Sequence, residues 1–164
     1  MDAESARAFL LTLPHVVEMQ QWGDNLLFWV GDKAIGGKMF CLLNLDAAEA
    51  GLIKGVISYS AGPERYNELL EIDSLVPAPY MARIFWVSAQ HWSAWRNADW
   101  QRELRAAHEI TLAKLPRRVH EVLALSPTAR EKLIRDRRKL LAGKAAAKLK
   151  APSATRPERT KRTT

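Results

Sequence analysis

The sequence predicts an α+β domain with a mostly antiparallel sheet, followed by a basic, partly helical C-terminal tail. Three observations carry this expectation. Apolar patterning runs in the order helix, strands, helix, strand, helix, the order of a sheet packed by helices. The 164 residues suffice for about one domain, and 48% hydrophobic with 26% charged residues is a globular composition that excludes a wholly disordered or fibrous chain. The net charge of +7 is split: residues 1–125 hold 12 Lys/Arg and 15 Asp/Glu, a net of −3, whereas residues 126–164 hold 13 and 3, a net of +10. The basic character belongs to the tail, and such asymmetry suits either an arm that meets a polyanion or a solvated tail that aids solubility.

Each element follows from local chemistry. Asp2 caps a first helix in which Ala6, Phe9, Leu10 and Leu13 form an i, i+3, i+4, i+7 stripe, and Pro14 ends it. Leu26, Phe28 and Val30 alternate with Leu27 and Trp29, and Met39 to Leu43 is a second apolar run beyond Gly36-Gly37. The pair reads as an antiparallel hairpin with a long or bulged turn. A third strand, Val56 to Tyr59, stops at Gly62-Pro63, and Pro63 suits the first turn of a short helix over Glu64 to Ile72. Pro77-Ala78-Pro79 is extended, because each proline fixes its own φ and restricts its predecessor. A fourth strand covers Ile84 to Val87. Asn97 or Asp99 starts a longer helix with Trp100, Leu104, Ala107, Thr111 and Leu115 on one face, and Pro116 separates it from a shorter piece containing Val119, Val122 and Leu123.

The domain is expected to span residues 1–125 and the tail 126–164. Ser126-Pro127 supplies a cap and a first-turn proline, and Thr128 to Lys150 is rich in strong helix formers. Gly143 weakens that helix, Leu133, Ile134, Leu140 and Leu141 form only a narrow stripe, and Pro152 and Pro157 forbid continuation. A marginal helix followed by disorder is expected.

Catalytic chemistry finds little foothold. His15, His91, His108 and His120 are scattered, and no CxxC or HExxH pair supports a metal site. Gly31 to Lys38 superficially resembles a phosphate loop, but Lys38 is followed by Met39 and the segment lies between two strands. Acidic pairs such as Glu68 and Glu71 read as a solvated helix face. Cys41, the sole cysteine, lies in an apolar strand and reads as a small core residue. It permits no internal disulfide, which fits a reducing cytoplasm. No apolar run approaches the ~18 residues of a membrane span, and Met1 to Glu4 lacks the charged and apolar regions of a signal peptide. No cofactor is expected. Trp92, Trp95 and Trp100 are interleaved with Arg96 and Arg102, a pattern that suits either base stacking or core packing, with core favoured for Trp100.

Leu13-Pro14, Trp22-Gly23-Asp24, Phe28-Trp29-Val30, Gly37-Lys38-Met39-Phe40, Pro63-Glu64, Val76-Pro77-Ala78-Pro79-Tyr80-Met81-Ala82-Arg83, Trp86-Val87 and Ala113-Lys114-Leu115-Pro116 occur in that order. Over roughly residues 5–122 this series resembles the MmcQ/YjbR family. The resemblance implies a CyaY-like (frataxin-like) two-layer sandwich, with N- and C-terminal helices against an antiparallel sheet. It also implies DNA binding, by analogy with a double-wing arrangement of strands, with Lys38 and Arg83 placed to contact phosphate and Tyr80 and Trp86 nearby. The sequence departs from the family pattern at the extended turn Gly31 to Gly37, and at Ser58-Tyr59-Ser60, where a basic residue is frequent.

The combined expectation is a non-enzymatic protein that associates with DNA or RNA largely without sequence readout. Phosphate contacts are assigned to Lys38, Arg83, Arg135, Arg137, Arg138, Lys139, Lys144, Lys148 and Lys150, with most of the affinity from the tail. Tyr80, Trp86, Trp92 and Trp95 are candidate surface or ligand-contacting aromatics. The alternative is a small-ligand or protein-interaction module with a cleft near Lys38, Tyr80, Arg83 and Trp86.

Overall fold

The computed structural model of the chain describes residues 1–45 and 55–150. Six strands form one antiparallel sheet in the order β1-β2-β3-β4-β6-β5: β1 Val16–Gln21, β2 Asn25–Val30, β3 Lys38–Asn44, β4 Ile57–Ser60, β5 Leu75–Pro77 and β6 Trp86–Ala89. Five helices accompany them: α1 Ala3–Thr12, α2 Gly62–Leu69, α3 Asn97–Ala113, α4 Arg117–Leu123 and α5 Pro127–Lys150. The expected α+β architecture holds.

The side-chain period of two sorts the strands into faces. Phe28, Cys41, Ile57, Tyr59 and Val87 point toward α1 and α3 and form the main core with Leu10, Trp100 and Leu104. An extra residue in β3 interrupts the register with β2 between Phe28 and Trp29, so Phe40 joins the same core as Cys41. Leu27, Leu42, Ala78 and Trp86 form a separate small cluster, flanked by half-buried Trp29, Met39 and Met81.

The start of α1 follows the expected signal. Asp2 accepts a hydrogen bond from the Ser5 backbone N–H at 2.8 Å, which caps α1 and holds the Asp2 carboxyl below its ordinary pKa. Trp100, Leu104, Ala107 and Thr111 are buried along α3. His108 on the same face is also buried; its Nε2 lies 2.8 Å from the Pro14 carbonyl oxygen, and its ring meets Phe40 edge-on at 5.3 Å. That histidine ties α3 to the turn after α1.

Several boundaries differ from the sequence expectation. β1 is an additional edge strand. Its Glu18, Gln20 and Gln21 mask the alternation, and Arg7 of α1 pairs with Glu18 at 2.6 Å. The expected strand Ile84 to Val87 instead begins at Trp86, because Ala82–Ile84 forms a 3-10 turn and Phe85 adopts a left-handed conformation with φ 61°. Leu75–Pro77, which shares only Pro77 with the segment expected to be extended, pairs with β6 as an edge strand, where proline's missing N–H is tolerated. α2 starts at Gly62 and ends at Leu69, short of Ile72. The expected helix over 128–150 forms as α5, and the expected disorder beyond Lys150 lies outside the described residues.

Candidate functional site

One end of the sheet carries two of the nine cations that the sequence singles out, Lys38 and Arg83. β3 starts at Lys38, opposite Val30 at the end of β2. Ser60 at the end of β4 lies opposite Trp86 at the start of β6, and the Ala61 N–H donates to the Phe85 carbonyl at 2.9 Å. Lys38 at the start of β3 and Arg83 in the 3-10 turn that leads into β6 therefore lie at the same end of the sheet, both exposed, with β4 between β3 and β6. Tyr80 projects there, 80% exposed on a backbone with φ 63°.

The connection from β2 to β3 is built to a tight specification. Asp32 is buried, and its Oδ1 accepts from the Ala34 N–H at 2.8 Å, which starts a 3-10 turn over Lys33–Ile35. The Ile35 and Gly37 N–H groups donate to the Asp32 carbonyl, and Gly36 closes the turn with φ 98°. Gly37 has no substitute here: a Cβ at that position would sit 2.0 Å from the Gly31 carbonyl oxygen. The glycines that mimic a phosphate loop serve backbone proximity in a hairpin, with no helix N-terminus facing a ligand.

Helix α5 is seated on this turn. Arg138 forms an ion pair with the Asp32 Oδ2, and Arg130 donates to the Leu123 carbonyl at 3.0 Å. Arg130 Nη1 also lies 3.4 Å from His15 Nδ1. Desolvation beside α5, then the neighbouring Arg130 and His108, hold His15 below the ordinary histidine pKa. The spacing of Arg130, Ile134 and Arg138 at i, i+4, i+8 places them on one face of α5, and Ile134 is half-buried.

Beside that seat, the 3-10 turn, α4 and α5 enclose a groove of about 850 Å³. Ile35, Val122, Leu133, Leu140 and Leu141 give it an apolar lining, and Lys33, Arg118, Lys132 and Arg137 bring four cations against the one carboxylate of Asp136. Sequence reasoning missed Lys33, Arg118 and Lys132 as site residues. The available signal was the run Ala129, Lys132, Leu133, Asp136, Arg137, Leu140 and Leu141, spaced alternately by three and one, which falls on one flank of a helix.

The other expected residues are dispersed. Arg135, Arg137, Lys139 and Lys144 are exposed on α5, and with Lys132 they form no ion pair among the described residues; Arg138 is committed to Asp32. The side chains of Lys148 and Lys150 lie outside the described residues. Trp86 is only 3% exposed and fills the small cluster, so it packs on the sheet and offers no contact surface. Trp92 stands edge-on to buried Trp100 with centroids 5.4 Å apart, and its carbonyl accepts from the Trp100 Nε1–H at 2.8 Å. Trp95 is half-buried against the same core.

Cys41 and Glu103 serve packing. Cys41 is fully buried, which pushes its thiol pKa up. Glu103, 1% exposed, pairs with Arg65 at 3.0 Å from α3 to α2, and Arg102 approaches it at 3.7 Å. Among the described residues, no group of three or more His, Cys, Asp or Glu side chains is placed to hold a metal, and no helix is long and apolar enough to cross a membrane.

A family model described as YjbR matches residues 11–137. Among solved structures, the chain is similar to the crystal structure of Deinococcus radiodurans protein DR2400, a DUF419-domain protein. That match has a TM-score of 0.62 and 21% identity, and covers 76% of this chain and 89% of that one. Among curated proteins, none matches.

Proposed function

The chain belongs to the YjbR family, and from that premise we propose that it is a non-enzymatic nucleic-acid-binding protein whose affinity resides mainly in the cations of its C-terminal segment. The observation that carries this reading is the charge split, −3 over residues 1–125 and +10 over 126–164, together with the exposure of the α5 cations. Unpaired, solvated guanidinium and ammonium groups lose little on meeting phosphate and gain from release of condensed counterions. Lys132, Arg135 and Lys139 share one side of α5, whereas Arg137 and Lys144 lie on another. Cations distributed around a helix suit a phosphate backbone better than the ordered edges of bases.

The body contributes a smaller share through Lys38 and Arg83 at one end of the sheet, with exposed Tyr80 available for stacking. The non-enzymatic part of the reading is supported by what the reactive side chains already do. His108 holds Pro14, Glu103 holds Arg65 and Cys41 is sealed in the core.

Fluorescence anisotropy with duplexes of unrelated sequence tests the proposal. The full chain should bind all of them with similar affinity. Replacing Lys132, Arg135, Lys139 and Lys144 together by Gln should remove most of that affinity, and replacing Lys38 and Arg83 by Ala should weaken it modestly and equally for every duplex. Strong preference for one sequence, or tight binding that survives the α5 substitutions, would refute it.

A further inference from the structure

The groove between the Lys33–Ile35 turn, α4 and α5 has a chemistry that phosphate contacts do not use. Its lining combines Ile35 and Val122 on the body with Leu133, Leu140 and Leu141 on α5, and the leucines are 37%, 48% and 46% exposed. Exposed leucines collected along one groove form a cohesive apolar patch, unlike isolated surface leucines. Lys33 and Arg118 stand on one bank, Lys132 and Arg137 on the other, opposed only by Asp136.

We propose that this groove docks an acidic amphipathic helix of a partner protein. The choice of occupant rests on charge, openness and length. Four cations against one carboxylate call for an anionic ligand, and the same positive charge makes a second copy of α5 a poor fit. Every α5 residue along the groove is exposed, whereas a drug-sized ligand requires walls that bury most of its surface. From Ala129 to Leu141 the groove follows α5 for ~18 Å at 1.5 Å per residue, about three turns of helix. A partner helix would lay its i, i+3, i+4, i+7 apolar residues between α4 and α5 and direct carboxylates to both banks. Phosphate would leave the apolar lining uncovered, so this surface goes beyond the nucleic-acid reading.

The probe is a designed, fluorescein-labelled helical peptide of about 12 residues, with leucines on one face and glutamates flanking them. The control has the same composition, scrambled so that the leucines share no face. With the full chain at moderate salt, the amphipathic peptide should bind about thirtyfold or more tightly than the scramble, a hot-spot-sized difference. Leu133→Gln with Leu140→Gln should abolish that difference while leaving duplex DNA affinity unchanged. Circular dichroism of the double variant checks that α5 is retained. Equal binding of the two peptides, binding of neither, or indifference to the leucine substitutions overturns the proposal.

Discussion

The seat of α5 on the β2–β3 turn includes one buried carboxylate, and this makes Arg138→Gln an informative perturbation. Asp32 is 5% exposed and divides its oxygens between the Ala34 N–H and the Arg138 guanidinium. Loss of the guanidinium leaves Oδ2 without its charged donor in a site that water reaches poorly. A hydrogen bond to a charged group contributes about 1.5–3 kcal/mol. Arg138 itself is 62% exposed, so solvent screens the pair and the expected loss falls to about 1–2 kcal/mol. That free energy applies to docking of α5, because the sheet and its core do not depend on Arg138. Hydrogen exchange followed by NMR should show the amides of residues 130–141 exchanging roughly tenfold faster, with those of β2, β3 and β4 unchanged. Asp32→Asn should produce a similar change, and the double variant little more than either single one. Unchanged α5 exchange in both variants would show that the ion pair does not hold the helix. Equal acceleration in α5 and the sheet would show that the two do not separate.

Other outcomes follow from the same contacts. Arg65→Met leaves Glu103 buried with only the more distant Arg102, so urea denaturation should reveal a loss of about 3 kcal/mol; Arg65→Met with Glu103→Leu should recover most of it. A Cβ on Gly37 meets backbone that cannot move aside, so Gly37→Ala should lower stability and erase the amide chemical shifts characteristic of the Lys33–Ile35 turn, whereas Gly143→Ala, where a Cβ meets nothing within 4 Å, should stabilise α5 slightly. The depressed pKa of His15 means that the unfolded chain binds a proton more readily there. Its contribution is present above the unfolded-state value of about 6.5 and is lost as pH falls below it through the folded value. The urea midpoint should therefore drop between about pH 7.5 and pH 5.5, with a smaller drop in His15→Gln.

Much of the fold was legible because periodicity and punctuation agreed. The stripe of α3, the break at Pro116, the Asp2 cap and the hairpin around Gly31 to Gly37 are local signals, and the structure follows them. β1 was not legible because an edge strand with Glu18, Gln20 and Gln21 hides its alternation, and its place is set by pairing with β2 and by Arg7. The start of β6 was displaced because Phe85 takes a left-handed conformation that nothing in its chemistry announces. At the site, the cationic character of α5 was plain from composition. Its seat was not, because the Asp32–Arg138 pair joins residues 106 apart in the chain. The groove was equally hidden, since Ile35 and Val122 reach it from turns and helices that only the tertiary fold brings to α5.

The salt dependence of duplex DNA binding reads out the phosphate contacts of α5 one by one. Log affinity of the full chain against log salt should fall on a straight line, with a slope of about −0.9 for each phosphate neutralised. Replacing Lys132, Arg135, Lys139 and Lys144 by Gln should flatten that slope by roughly 3 to 4, the release attributable to four phosphate contacts. An unaltered slope in the substituted chain, or an affinity of the full chain that does not respond to salt, would show that the α5 cations do not neutralise phosphate.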